Sequence, residues 1–286
     1  MEKIAKQIAD IAGWALLEEV HTTPKPGLVD CYSNGAHKDM TVRTFEDSAK
    51  ALHPYFLMMA EIGWEYYEKP QEIFLKIREV GKLAEGAMYR ATNGVNTHKG
   101  LIFSIGILSA AAAAVFHQTK EISREDIFVK EMEMVQNILL QELTSSGMKK
   151  KDLTNGEKVY KKYGSFGVRG EALYGYAAVR NLSLPVFDEG VENHMDFESV
   201  KLQALVTLMS QVEDSNILYR SDMDRLKQVQ KMSRDFLNAG GMYQQSGMET
   251  MMEWDRQFID WNISPGGSAD LLAITLFIYR VTGGIR

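Results

Sequence analysis

The sequence predicts an all-α protein, and three observations carry that prediction. Apolar residues recur at three- and four-residue spacing along most of the chain, which lays them along one face of a helix. No stretch sustains the apolar–polar alternation with tight turns that a sheet needs. Between the periodic runs lie the prolines, glycines and capping residues that stop and start helices.

Taken in order, the first helix carries Ile4, Ile8, Ile11 and Ala15 on one face and runs to about Val20. It stops at TTPKPGLVD, where Pro24 and Pro26 each remove a donor and push the residue before them out of the helical region. A second helix spans Thr44 to Tyr67 with Ala49, Leu52, Phe56, Met59 and Gly63 inward, and a third spans Gln71 to Tyr89. The run from Leu101 to Phe116, LIFSIGILSAAAAAVF, is uncharged but shorter than the roughly 20 residues a bilayer-spanning helix needs, so it predicts a buried core helix. Ser123 with Asp126, and Thr154 with Glu157, match capping boxes and place helix starts near both. Further helices are predicted over 124–143, 170–181, 197–212, 222–239, 247–261 and 268–281, with Gly240 and Gly241 as a stop. The lysine-rich stretch 149–162 predicts a mobile loop and a short helix.

Composition bounds the function. At 286 residues and 45% hydrophobic, with no internal repeat or low-complexity linker, the chain predicts one domain over 1–286. A net charge of -6 argues against a general nucleic-acid or membrane-surface binder, because neither polyanion would be attracted. A single cysteine, Cys31, excludes a disulfide framework and a cysteine-built zinc site, and Cys31 is expected in a buried or semi-buried place. The start, MEKIAKQIADIAGW, lacks the layout of a secretory signal, and the cytoplasm is the expected compartment.

The unusual residues gather where helices begin and end. Six loops combine glycine or proline with polar and charged groups: TPKPGLVD (23–30), NGAHKDM (34–40), NGVNTHKG (93–100), GSFGVRGEA (164–172), EDSNILYR (213–220) and NISPGGSAD (262–270). Four lead toward helix starts, where exposed N–H groups and the positive end of the helix dipole favour phosphate oxygens. Lys25, Lys99 and Arg169 add full charges. Asp39, Glu171, Asp214, Asp270 and Glu19 offer hard oxygen ligands, so a magnesium-bound polyphosphate is the inferred ligand. His37 and His98 are suited to ligate, to bond phosphate or to move protons near neutral pH.

Any one such loop is most often only a turn; six in one chain are harder to dismiss. The methionines read as adaptable core filler, and Lys149, Lys150, Lys151, Lys158, Lys161 and Lys162 as a solvated face. His21, His53, His117 and His194 have no supporting neighbours in sequence.

As a set, TPKPGLVD, NGAHKDM, GVNTHKGLIFSIG, GVRGEA, EDSNILYR and SPGGSADLLA, in this order from residue 23 to 273, resemble the triphosphoribosyl-dephospho-coenzyme A synthase family. One departure is that Arg220 is followed by Ser221 and Asp222 where the family pattern has a glycine pair, and no role is assigned to Arg220. The resemblance implies an all-helical transferase that moves the triphosphoribosyl group of ATP to the ribose 2'-hydroxyl of 3'-dephospho-CoA and releases adenine. Its product would pass to a holo-acyl carrier protein synthase, for citrate lyase or malonate decarboxylase. A homodimer is left open.

Cleaving the ribose–adenine bond builds positive charge on the sugar and calls for a carboxylate to take the proton of the incoming hydroxyl. On that chemistry Glu171 or Asp39 is the expected base, and His98 polarises substrate or supports adenine departure. Asp214 and Asp270, with Glu19, would hold magnesium. Lys25, His37, Lys99 and Arg169 would hold phosphates, with Asn96, Asn216 and Ser268 orienting them. Two other readings use the same residues: a magnesium-dependent helical hydrolase of N-ribosyl or phosphate bonds, and a noncatalytic nucleotide or CoA sensor.

Overall fold

The computed structural model of the protein describes residues 1–145 and 153–284, and among these it is all-α, with no strand. Four long helices come first: α1 (Glu2–His21), α2 (Val42–Glu65), α3 (Pro70–Ala91) and α4 (Lys99–Thr119). They follow the expected order and boundaries closely. Thr41 and Thr44 cap α2 reciprocally, and Pro70 opens α3 where its missing N–H costs nothing.

α4 is the axle. Residues Leu101, Ile102 and Ser104 to Val115 are buried around its whole circumference, as expected of a helix apolar on every side. By length and composition α4 is apolar enough to cross a membrane, yet 78% of its apolar window is covered by the rest of the protein. Close packing here depends on small residues. A β-carbon added to Gly63 of α2 would lie 2.0 Å from the carbonyl oxygen of Ala110, so the two backbones run almost in contact.

α5 (Arg124–Ser145) starts at the expected box, with Ser123 Oγ donating to Asp126 at 2.6 Å and accepting from the Asp126 N–H at 3.1 Å. α6 (Asn155–Tyr163) is capped by Thr154 and Glu157 in the same way. The lysine-rich loop expected before it lies in part outside the described residues.

The chain departs from expectation over 170–181. α7 (Val168–Leu173) ends at a turn in which Gly175 (φ +64°) and Tyr176 (φ +52°) are left-handed. Gly175 packs on Met132, where a β-carbon would come within 2.9 Å of the sulfur, so the left-handed turn and the close approach both favour glycine there. A wide π-type turn, Val179–Ser183, then runs into α8 (Leu184–Glu192), whose Pro185 occupies a first-turn position that sequence periodicity alone does not reveal. α9 (Phe197–Met209), α11 (Met223–Asn238), α12 (Gly247–Asp260) and α13 (Gly266–Gly284) match expectation, and a short α10 (Ser215–Arg220) is additional.

One contiguous core joins α1 to α13, with a small satellite of Leu202, Val206, Phe236, Met242 and Met251. Each fully buried Leu, Ile or Phe contributes about 1.5–3 kcal/mol. Cys31, expected inside, is exposed: Asp30 turns inward to gather backbone amides and leaves the next residue facing out.

Candidate active site

The N-termini of the two most buried helices, α4 and α13, meet. The Asp270 carboxylate, one turn into α13, lies so close to Gly100, in the first turn of α4, that a β-carbon on Gly100 would sit 2.2 Å from Oδ2. Two positive helix ends therefore share one small region. Among the described residues no hydrogen bond to Asp270 is seen; burial first, then the nearby Glu19 and Asp214 charges, push its carboxyl well above the ordinary range.

His98 stands immediately before α4. Thr97 Oγ1 donates to Ser48 Oγ at 2.8 Å, so the Ser48 hydroxyl is left to donate to His98 Nδ1, also at 2.8 Å. That chain assigns the ring proton to Nε2, a buried donor with no protein partner. Burial, and secondarily the Lys25 charge, lower the His98 pKa to about 3, so the ring is neutral at physiological pH.

Lys25 is 1% exposed. Its ammonium is paired with the Glu19 carboxylate at the end of α1 and donates to the Glu19 carbonyl oxygen at 2.6 Å. Burial raises the Glu19 pKa, and the pair with Lys25 opposes that rise. Lysine reaches this place because the loop 22–30 is clamped from several sides. Asp30 accepts from the Lys25, Tyr32 and Ser33 amides. Asp255 of α12 accepts from the Gly27 amide at 2.9 Å and from Ser33 Oγ at 2.8 Å. Gly27, at φ +71°, lies against the Ile263 carbonyl oxygen, which a β-carbon would approach to 2.5 Å. The proline-rich loop thus rests on the segment that opens α13.

Asp214 caps α10 and clamps α13. Oδ1 accepts from the Asn216 and Ile217 amides, and Oδ2 from the Ser268 amide at 2.7 Å and Ser268 Oγ at 3.0 Å. Burial raises its pKa and these four bonds counter the rise. Both oxygens are engaged in holding protein. Asn216, exposed, has its side-chain amide against Gly266.

Glu171 lies on α7 and is half-buried. The Ala178 amide donates to its Oε2 at 3.3 Å and the Tyr176 amide to its carbonyl oxygen at 2.7 Å. Burial raises its pKa, and the Ala178 bond works the other way. Glu171 and Asp270 both act electrostatically on the buried Tyr176 phenol, which places the three groups in one neighbourhood.

A second cluster forms on the loop 31–40. Arg220 donates to the Ala36 carbonyl oxygen at 2.9 Å and faces His37 at 3.1 Å, and the other His37 nitrogen meets Ser264 Oγ at 3.0 Å. Burial and then the Arg220 charge lower the His37 pKa to about 4, against a smaller pull from Asp39. Asp39 itself is largely exposed, 3.9 Å from His37.

Lys99 and Arg169 sit to one side. Lys99 pairs with Glu85 of α3 at 2.8 Å, while Arg169, exposed, lines a cavity of about 200 Å³ between α3, α4 and α5 that Glu85 also lines. Asn96, exposed, accepts from the Lys99 amide at 3.3 Å. The expected site residues therefore divide. Glu19, Lys25, His98, Asp214, Ser268, Asp270 and Glu171 surround the meeting of α4 and α13; His37 and Asp39 form a neighbouring rim with Arg220; Lys99 and Arg169 flank the start of α4.

Among the described residues no three histidine, cysteine or carboxylate side chains converge as a ready-made metal cage. The donor set nonetheless fits magnesium shared with a polyphosphate, which needs only one or two carboxylates and keeps several waters. Asp270 fits best, since among the described residues no hydrogen bond holds its oxygens.

Sequence reading missed Ser48, Asp30, Asp255, Ser264 and Arg220. For two of them a signal was present. Asp255 is in register with the buried Met251 and Phe258 on α12, and Ser48 with Leu52 and Phe56 on α2. A polar residue standing in an apolar stripe marks an interior polar contact.

The chain is similar to known proteins over nearly its whole length. The family model for CitG, ATP:dephospho-CoA triphosphoribosyl transferase, matches residues 5–285. A probable 2-(5''-triphosphoribosyl)-3'-dephosphocoenzyme-A synthase of Streptococcus mutans is 38% identical, covering 96% of both chains. The protein of that name from Klebsiella pneumoniae is 36% identical over 98% of this chain and 92% of its own, and a probable one from Salmonella gallinarum is 37% identical with the same coverage. No solved structure matches. All six loops lie within a match of this extent, and the chain belongs to the ATP:dephospho-CoA triphosphoribosyl transferase family.

Proposed function

We propose that the meeting of α4 and α13 is where this enzyme transfers the triphosphoribosyl group of ATP to the ribose 2'-hydroxyl of 3'-dephospho-CoA. Adenine leaves and 2'-(5''-triphosphoribosyl)-3'-dephospho-CoA forms. The observation that carries the placement is the Asp270–Gly100 contact, which brings an unpartnered carboxylate and two helix N-termini together beside buried Lys25 and His98.

Helix-end amides and Lys25 hold the triphosphate, and His37 with Arg220 holds a second phosphate group at the rim. Glu171 is the base. Its raised pKa brings it nearer working pH, and its partial burial shields it, whereas Asp39 is largely exposed. The acceptor hydroxyl proton passes to Glu171, the C1'–N9 bond of ATP breaks, the new C1'–O bond forms, and adenine takes up a proton. His98, neutral with Nε2–H free, donates a hydrogen bond to substrate and does not act as a charged acid. Asp270, with Glu19 behind it, is the group that would hold magnesium, which supplies neutralisation of the triphosphate charge. Asp214 and Ser268 fix Asp270 by clamping the start of α13.

The compartment is the cytoplasm, and the product feeds a holo-acyl carrier protein synthase in making the prosthetic group of citrate lyase or malonate decarboxylase. Chromatography of a mixture of protein, ATP, magnesium and 3'-dephospho-CoA tests the reaction. Adenine and a heavier CoA derivative retaining the triphosphate are expected only in the complete mixture. Adenine or ADP without the acceptor would instead identify a hydrolase, and ATP binding without turnover a sensor.

A further inference from the structure

Glu131 of α5 is the least expected side chain in the core. It is fully buried, and neither carboxylate oxygen has a hydrogen-bond partner. Its neighbours on the same face are Ile127, Phe128, Met134 and Val135, all buried. Burial of this kind raises its pKa well above the ordinary range and keeps the group neutral. An unpartnered acid in a core costs stability, and its persistence calls for a task.

The task is indicated by Tyr176. This side chain too is fully buried with its hydroxyl unpartnered, and its backbone is left-handed at φ +52°, a conformation that costs a bulky residue energy and collects near functional sites. Glu131 lies within electrostatic reach of the phenol, and Met132, the next residue of α5, packs on Gly175. Ser104 of α4 lies by the phenol as well, though neither hydroxyl completes a bond of normal geometry. Two helices and the turn after α7 thus bring polar groups to one point of the core. That point lies beneath the 174–178 turn, which wraps Glu171 through the Tyr176 and Ala178 amides.

We propose that Glu131 and Tyr176 are positioning residues for Glu171: the phenol, backed by the Glu131 carboxyl, anchors the turn whose Ala178 amide holds the Glu171 carboxylate. Neutral Glu131 donates its O–H toward the phenol oxygen, directly or through a bound water. The contact closes as the site tightens around its substrates, as hydrogen bonds around reacting centres do. Because the anchor acts in the reacting complex, its loss falls on kcat and spares KM. This rests on the reading of Glu171 as the base.

The test compares Y176F, E131M, E131Q and E171Q in steady-state adenine release, with thermal melts at pH 8. Y176F and E131M are expected to lower kcat roughly ten- to a hundredfold, the scale of a small misplacement of a reacting group. KM for ATP and for dephospho-CoA stays within about twofold, and the melting temperature of E131M is unchanged or higher because an unpartnered buried carboxyl has been removed. E131Q, neutral and still a donor, restores most of kcat. Wild-type turnover in Y176F and E131M would overturn the anchor. So would losses in E131Q equal to those in E131M, or losses accompanied by raised KM and lowered melting temperature, which describe a loosened core. E171Q separates the two levels: an inactive E171Q beside fully active Y176F overturns the anchor alone, whereas wild-type turnover in E171Q overturns the base assignment and the anchor with it.

Discussion

Gly100 and Asp270 belong to different helices, yet the Gly100 backbone faces the Asp270 carboxylate with no room for a methyl group, which would lie 2.2 Å from Oδ2. Helix propensity by itself would favour alanine at Gly100 by about 1 kcal/mol. The glycine is therefore kept for the approach of the carboxylate. G100A is expected to fold with a melting temperature within a few degrees of wild type and to lose roughly a hundredfold in turnover as Asp270 is pushed aside. Adenine release and a thermal melt check it, and a fully active G100A would remove Asp270 from the reacting centre.

Lys25 and Glu19 form an ion pair in which both side chains are at most 5% exposed. Removing one partner strands the other charge in the interior, at a cost of about 3–5 kcal/mol. K25M should show that loss in urea unfolding. K25M combined with E19Q should recover most of the stability while remaining inactive. A double variant no more stable than K25M would show that the two charges are not coupled.

The neutral histidines set a pH dependence. His98 titrates near 3 and His37 near 4 in the native protein, both below the ordinary 6.5 because of burial first and then the neighbouring Lys25 or Arg220 charge. The unfolded chain takes up these protons near pH 6.5 and the native protein does not, so their contribution is fully present above pH 6.5 and is lost on acidification toward 4 and 3. Denaturant unfolding at pH 7.5 and 4.5 should show a smaller drop for H98N than for wild type. An equal drop would mean that His98 is already protonated at pH 7.5 or is exposed.

Arg220 spans the Ala36 carbonyl oxygen and the His37 ring at 2.9 and 3.1 Å. A lysine has no planar fork with which to reach both. R220K should lower kcat/KM for the nucleotide substrates roughly tenfold, the worth of one charge-assisted hydrogen bond. Unchanged kinetics would return Arg220 to a purely structural place despite its position in EDSNILYR.

Most of the fold was legible because α1 to α5, α9 and α11 to α13 are long apolar-patterned runs, and because caps at Ser123 and Thr154 mark the starts of α5 and α6. The break at Gly175 and Tyr176 was not, because the close approach of Met132 from another helix and a left-handed tyrosine leave no mark in a periodic pattern. α10 was missed because six residues are too few to show a period; its reality rests on Asp214 gathering two amides. The site was legible as a set of loops, since glycine, proline and charge congregate there for reasons local to each loop. Which charges meet was not. The bond that ties Asp214 to Ser268, 54 residues on, and the folding of the loop 31–40 onto Arg220 are long-range and have no local signal.

The near-contact of Gly63 and Ala110 has a consequence for how this enzyme tolerates change. α4 is at once the centre of the protein and, at its first turn, the floor of the proposed site, so the interior has no layer that can deform on behalf of that end. A bulkier side chain at position 63 would tilt α4 as a rigid lever, and its far tip at Gly100 would swing away from Asp270. Variants of that kind would be folded proteins with idle sites, and a screen for lost activity would find them near the end of α2, outside every loop of the site.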